Sequence, residues 1–535
     1  MKNIKHYLLG LLALAFVVVS CDEDEELINQ RLAENPLPGE VTGSAGTFNF
    51  SRYISIGNSL AAGFQDNALY TDAQDQSFPA LFAQQLATTG VGGGAFNQPD
   101  INSANGFAGN GPSGPLGRFE LSLSLLRPVP TAGELPTPYT GDKSALSNFA
   151  VPGMTQLQVN DPGLAANGLY ARFASNPGTS TVLGDALATN PSFYTYWLGN
   201  NDVLRYAVSG GADISLISDT GDFQASITES LGALANSGAR GVVINLPPVV
   251  VAPFFRAVPW NAVPLDEATA TLLNGGFAGF NQALLGLLQA SGLGVPGIST
   301  TQADVDQRTV TYAAGQNPIL MVDTDLVDYN RPGGEFDILQ GIGAIDAAQR
   351  AALAPFGQAR PATPNDLPLL TAATEIGREI AGPTVLSGIS LPIADNFILS
   401  ATEVVRVVTA RATFNAVIDG VVAGVNQVAG GQAITILDTH PIFADVFGLD
   451  AASATALALT PAGIAAADGT LGIVVDGVTL APDFSPNGIV STDGIHPNPR
   501  GHAIIANALI DHLNGLGADI PSVNVLALRS VLTTD

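Results

Sequence analysis

The sequence predicts an α/β protein: a parallel sheet of about five strands, helices on both faces, and long insertions between the regular elements. Three observations point that way. Short apolar runs recur and stop at Gly, Pro or Asp; longer segments carry apolar residues at helical spacing; and polar, Gly/Pro-rich stretches separate the two. Strands that alternate with helices are joined by crossovers, which favours parallel pairing and covers both faces of the sheet.

Taken in order, Tyr53-Ile54-Ser55-Ile56 ends at Gly57 and reads as the first strand. Phe78 to Leu86 reads as a helix entered from a Ser77 cap. From about 88 to 145 the chain is rich in Gly, Pro, Ser and Asn with weak periodicity, and reads as a loop excursion. Phe149 to Val151 reads as the end of a second strand and Thr195 to Leu198 as a third, halted at Gly199. Phe223 to Ala235 is helical, and Gly241 to Leu246 is a fourth strand stopped by Pro247-Pro248. An insertion runs from about 250 to 395. Glu403 to Val428 has the spacing of a long helix, Ile434 to Leu437 makes a fifth strand ending at Asp438, and a last helix follows Pro499 to about Leu513. Ligands of open parallel sheets bind beyond the carboxyl ends of the strands, so the residues just after these strands are the ones to inspect.

The first twenty residues read as an address. Lys2 and Lys5 precede a 13-residue apolar run, Tyr7 to Val19, short for a membrane span and suited to a signal peptide. Val18-Val19-Ser20-Cys21 looks like a bacterial lipobox, with Cys21 the lipidated residue; an ordinary secretory leader with an incidental cysteine is the alternative. Cys21 is the chain's one cysteine, so an intrachain disulfide is impossible. The acidic run Asp22 to Glu26 resembles a surface-export signal of lipoproteins and reads equally as a solvated tether over 21–45. No later stretch reads as long and apolar enough to cross a bilayer. The expected location is the bacterial envelope, lipid-anchored, at the outer membrane and facing the periplasm or the outside.

Composition sets further bounds. The formal net charge is −27, which argues against nucleic acid, because phosphate binding needs clustered Lys and Arg. It equally disfavours electrostatic adhesion to anionic lipid, leaving the membrane contact to the anchor. With 46% hydrophobic residues the chain is too apolar for disorder, while 59 Gly and 35 Pro predict many loops. The predicted organisation is a leader over 1–20, the tether, one domain over 46–515 and a tail over 516–535.

Candidate chemistry sits in four blocks. Ser59 follows the first strand in Gly57-Asn58-Ser59-Leu60, at the turn into a helix start, where its hydroxyl is exposed and its N–H is free to face an anion. A serine needs a base, and His6 lies in the leader, leaving His440, His496, His502 and His512. His502 and His512 fall within the last helix and read as surface or capping residues. His440, in Asp438-Thr439-His440-Pro441, reads as structural or as a wall of the site. His496 lies three residues after Asp493 in Asp493-Gly494-Ile495-His496, a spacing that lets a carboxylate orient an imidazole. Gly153, in Asn148-Phe149-Ala150-Val151-Pro152-Gly153, and Asn201, in Gly199-Asn200-Asn201-Asp202, complete the set; each alone is also a plain turn.

Together these blocks resemble the SGNH, or GDSL-type, hydrolase family. The resemblance covers short blocks over about 50–250 and 400–513, and Asn58 stands where the family has Asp. It implies a three-layer α/β/α sandwich with a flavodoxin-like sheet, and a serine esterase needing no metal or organic cofactor. Ser59 would be the nucleophile, His496 the base and Asp493 its orienting carboxylate, with the Ser59 and Gly153 N–H groups and the Asn201 amide as oxyanion donors. Asn200 and Asp202 would shape the turn. The expected substrate is a carboxylic ester, an acyl lipid first and an acylated glycan second, the latter making the protein a carbohydrate O-acetylesterase. A non-catalytic surface-binding lipoprotein on a hydrolase scaffold is the alternative of another class. No Gly-x-Ser-x-Gly elbow, His-Glu-x-x-His or zinc-type cysteine pair competes. The aspartates at 304 and 306, and at 323, 325 and 328, read as acidic surface, with calcium the lesser alternative.

Overall fold

The computed structural model describes residues 41–447 and 472–534. The leader, Cys21 and most of the tether lie outside the described residues. Four parallel strands form the central sheet: β1 (Tyr53–Gly57), β2 (Phe193–Trp197), β3 (Arg240–Ile244) and β4 (Ile434–Leu437), in the order β1-β2-β3-β4. The main helices are α1 (Ser59–Ala62), α2 (Phe78–Leu86), α3 (Asn201–Val208), α4 (Thr220–Asn236), α5 (Glu267–Gly292), α6 (Ala401–Ala429), α7 (His440–Val446) and α8 (Pro499–Gly515).

Register decides which helix covers which face. Ser55, Thr195, Val242 and Thr435 are paired across the sheet, so their side chains share one face with the other odd positions of β1 and β2. On that face Tyr53 meets Phe82 at 5.1 Å between ring centres, Trp197 meets Phe78 at 5.5 Å, and Thr435 Oγ1 lies 2.8 Å from His512 Nε2. Helices α2 and α8 therefore cover it. Tyr196 points the other way, donating to Gln156 Oε1, and Gln156 in turn bonds Ser226 of α4. Helix α6 packs on α4, where Phe414 stacks on Phe223 at 4.2 Å.

Local chemistry explains the helix ends. Ser400 and Glu403 form a capping box at the start of α6, and Gly430 closes it at φ +67°. Asn498 caps α8 through bonds from the N–H groups of Arg500 and Gly501, with Pro499 at the first position. Ser77 precedes α2 as expected, yet its hydroxyl makes no cap bond; the Phe78 N–H donates instead to His502 Nδ1.

Several expectations need correction. Residues 147–151 do run parallel beside β1, with bonds from Ser55 N–H to Ser147 O, Phe149 N–H to Ser55 O and Val151 N–H to Gly57 O, but as a bridged segment rather than a regular strand. The 88–145 excursion contains an antiparallel sheet of Gly109–Gly111, Gly114–Ser122 and Arg127–Ala132. Its Gly and Pro content hid the two-residue period, and Pro128 and Pro130 are tolerated because their strand is an edge. The 250–395 insertion buries a cluster of its own around Phe277, Phe280, Leu284 and Phe336. Helix α6 is, by length and composition, apolar enough to cross a membrane, contrary to expectation. Its Arg411 and Asn415 nevertheless bond the Leu246 carbonyl inside the core. Of the expected 516–535 tail, residues 516–534 are described and pack on the domain through Ile520, Val523 and Val525.

Candidate active site

Strand β1 delivers Ser59 to the carboxyl edge of the sheet. Asn58 caps α1 by accepting from the Leu60 N–H at 3.1 Å, while its Nδ2 is buried without a partner among the described residues. The Ser59 N–H has no acceptor among the described residues.

His496 comes from the far end of the chain, 437 positions away, and its Nε2 lies 2.9 Å from Ser59 Oγ. Its Nδ1 lies 2.9 Å from Asp493 Oδ2. The loop that carries both is self-bracing: Asp493 Oδ1 accepts from the N–H groups of Ile495 and His496 at 2.8 and 2.9 Å, and Oδ2 also accepts from the Asn67 N–H at 3.0 Å. Burial pushes the Asp493 carboxyl up, but His496 and these backbone donors outweigh it and hold the group at about 2. Asp493 is thus a carboxylate at neutral pH. The two ring nitrogens of His496 face a carboxylate on one side, through Nδ1, and the serine hydroxyl on the other, through Nε2.

The Gly153 loop is tied on both sides. Val151 donates to Gly57 O, and the Asn201 amide donates to Met154 O at 2.9 Å, which uses one of its two N–H bonds. Gly153 sits between these ties at φ +81°, exposed, its N–H without an acceptor among the described residues. Asp202, fully buried, fixes the same loop by accepting from the Gln156 N–H at 2.8 Å and from the Ser218 hydroxyl at 2.7 Å. The sequence reading gave Asp202 the shaping of its own turn, whereas these two bonds of its carboxylate reach outside that turn to Gln156 and Ser218.

Two further roles were not legible in the sequence. Asp66, also buried, accepts from the Tyr70 hydroxyl at 2.6 Å and from the Thr492 N–H and hydroxyl at 2.9 and 2.8 Å, so the Asp66-Asn67 turn clamps the loop that bears Asp493. Both residues have positive φ, and an Asp-Asn pair is a recognisable signal for that backbone. Asn200 lines the same cavity as Ser59, and neither polar atom of its amide has a partner among the described residues.

That cavity, about 130 Å³, is walled by Ser59, His496, Asn58, Asn200 and Asn201 on its polar side. The rest is apolar, notably Leu204, Pro253, Ile442, Phe443, Phe447 and Ile504. Gly153 is not part of the lining. The other histidines lie elsewhere. His440 bridges Asp438 and Arg411 at the start of α7. His502 is completely buried, not at the surface, and burial, with the charges of His496 and Arg529, lowers it to about 3. His512 bonds Thr435.

The acidic residues of the insertion have partners of their own: Asp323 pairs with Arg360, Asp325 with Arg406, Asp304 with Thr301, Asp306 with Gln302, and Asp328 with the Asn330 N–H. No grouping of three or more metal-ligating side chains occurs among the described residues. Comparison of the chain with protein-family models, with curated proteins and with solved structures gave no match.

Proposed function

We propose that the protein is a serine ester hydrolase of the SGNH type, lipid-anchored through Cys21 in the bacterial envelope at the outer membrane, acting on esters with an apolar acyl group. The observation that carries this reading is the hydrogen-bonded line from Ser59 Oγ to His496 Nε2 and from His496 Nδ1 to Asp493, both contacts 2.9 Å, opening on an apolar cavity. The sheet lends support: with 147–151 counted as the second strand, the order becomes 2-1-3-4-5, the flavodoxin-like order.

In this reading Ser59 Oγ attacks the ester carbonyl carbon while its proton passes to His496 Nε2, and Asp493 stabilises the imidazolium. The carbonyl oxygen becomes an oxyanion that the Ser59 N–H, the Gly153 N–H and the second N–H of the Asn201 amide receive. His496 then gives its proton to the leaving alcohol. Water, deprotonated by the same imidazole, releases the acid and restores Ser59. No step calls on a metal or an organic cofactor.

The test is hydrolysis of p-nitrophenyl esters from acetyl to palmitoyl by the mature chain. Activity is expected with butyrate and longer esters and is expected to fall at least about 10⁴-fold in Ser59→Ala. Activity confined to acetyl esters would move the assignment to a carbohydrate O-acetylesterase. Absence of Ser59-dependent hydrolysis at every length would favour a surface-binding protein instead.

A further inference from the structure

A second cavity, about 580 Å³, meets the first at Pro253, Phe447 and Pro482, which line both. Its remaining walls come from three segments far apart in sequence: the hairpin tip at Leu121–Leu126, the stretch Val251–Ala257, and Asp483–Pro486. Each segment is hydrogen-bonded to the loop that carries Asp493 and His496 or to its clamp. Phe119, on the hairpin, donates to Asp66 O at 2.7 Å and accepts from the Thr492 hydroxyl. Phe254 donates to Gly494 O at 2.9 Å, and the Val490 N–H donates to Asp483 O at 3.0 Å. The outer cavity is therefore built on the same scaffold as the Ser59 site, and its position relative to Ser59 is fixed.

The hairpin tip is unusual in itself. Leu126 is 83% exposed and has φ +52°, a conformation for which Gly or Asn is the cheaper choice. Leu123 is 43% exposed and lines the cavity beside it. Leu126, held out in water in a strained backbone at the mouth of a cavity that adjoins the active site, is accounted for by an apolar ligand that covers it. The inner cavity is small and nearly all apolar, whereas the outer one mixes Leu123, Leu126 and Phe484 with Ser122, Arg256 and Asp483, as a mouth open to water does.

We propose that the outer cavity is the distal half of the acyl site, and that the substrates are esters of long-chain acids. Resting on the esterase reading above, the chain runs from Ser59 past Pro253, Phe447 and Pro482 and emerges under Leu123 and Leu126. Short acyl groups fill only the inner cavity and are indifferent to the hairpin tip.

The experiment compares kcat/KM for p-nitrophenyl butyrate, laurate and palmitate between the wild type and Leu123→Ser/Leu126→Asn, both exposed sites, the second change suiting the positive φ. A parallel series holds the acyl group at butyryl and lengthens the alcohol. The expected result is butyrate turnover within about twofold of wild type, a loss of about tenfold or more with palmitate, and no change along the alcohol series. Equal kcat/KM for palmitate in the two proteins, or a loss confined to long alcohols, overturns the acyl path while leaving the esterase reading intact. Absence of Ser59-dependent hydrolysis of butyrate and of the longer esters alike overturns both.

Discussion

Asn201 is asked to do two things with one amide. One N–H holds Met154 O and so ties the Gly153 loop, and the proposed function gives the other to the oxyanion in the cavity that Asn201 lines with Ser59. Asn201→Ala is therefore expected to lower kcat on p-nitrophenyl butyrate by about 10²–10³-fold with KM little changed, because the lost donor acts on the oxyanion rather than on the bound ester. Steady-state kinetics decide it, and a variant that loses only KM would remove Asn201 from the oxyanion site. Ser59 and Asp202 were singled out from turns after strands, Asp493 and His496 from their spacing in a loop before the last helix, and Gly153 and Asn201 through the family resemblance. The roles of Asp66, Asn200 and His502 were not legible, since they depend on contacts with residues hundreds of positions away or on a partner absent among the described residues.

The loop from Ser491 to Pro497 shows how narrowly backbone geometry constrains the site. Gly494 has φ +77°, and a β-carbon there would stand 3.0 Å from the Phe254 backbone nitrogen. Gly494→Ala is expected to cost about 1–3 kcal/mol of stability, read from urea unfolding, and to reduce kcat as the loop and its His496 shift. Unchanged unfolding and kcat would show that the loop gives way freely. Regular elements were the easier part of the sequence. Helix α2 matches its expected bounds even without the Ser77 cap bond, and α4, α6, α8 and all four sheet strands lie within a few residues of theirs, because the hydrophobic period is clear there. The hairpin sheet at 109–132 escaped because Gly117, Pro128 and Pro130 interrupt its alternation, and 147–151 fell short of a regular strand, bridging β1 only where Asn148 meets Ser55.

Across the molecule, acid stability should carry the mark of His502. Its ordinary value of 6.5 is lowered to about 3 in the fold, so between those limits the unfolded chain binds a proton that the folded chain refuses. Stability attributable to His502 therefore falls as pH drops from about 6.5 towards 3. Asp493 acts in the same direction but lower, contributing above its ordinary 3.8 and losing that contribution as pH falls through about 2. Buried Asp66, Asp202 and Glu403, all raised chiefly by burial, oppose both, so only the difference between two proteins isolates the histidine. Urea midpoints at pH 7.5, 6, 5 and 4 are expected to fall more steeply for the wild type than for His502→Gln; parallel curves would contradict this. The α/β class of the whole was readable from alternating periods. The separate core of the insertion was not, since Gly275, Gly276 and Gly279 dilute the apolar pattern of α5.

Everything functional rests on Ser59 being an activated nucleophile, and that can be read covalently without knowing the natural ester. The mature protein would be treated with a fluorophosphonate and its intact mass and peptide map recorded, beside Ser59→Ala and His496→Ala. The account predicts one adduct, mapped to Ser59, absent from Ser59→Ala and slowed by several orders of magnitude in His496→Ala. Labelling that persists in Ser59→Ala, or a wild type that stays unlabelled while hydrolysing esters, would contradict it.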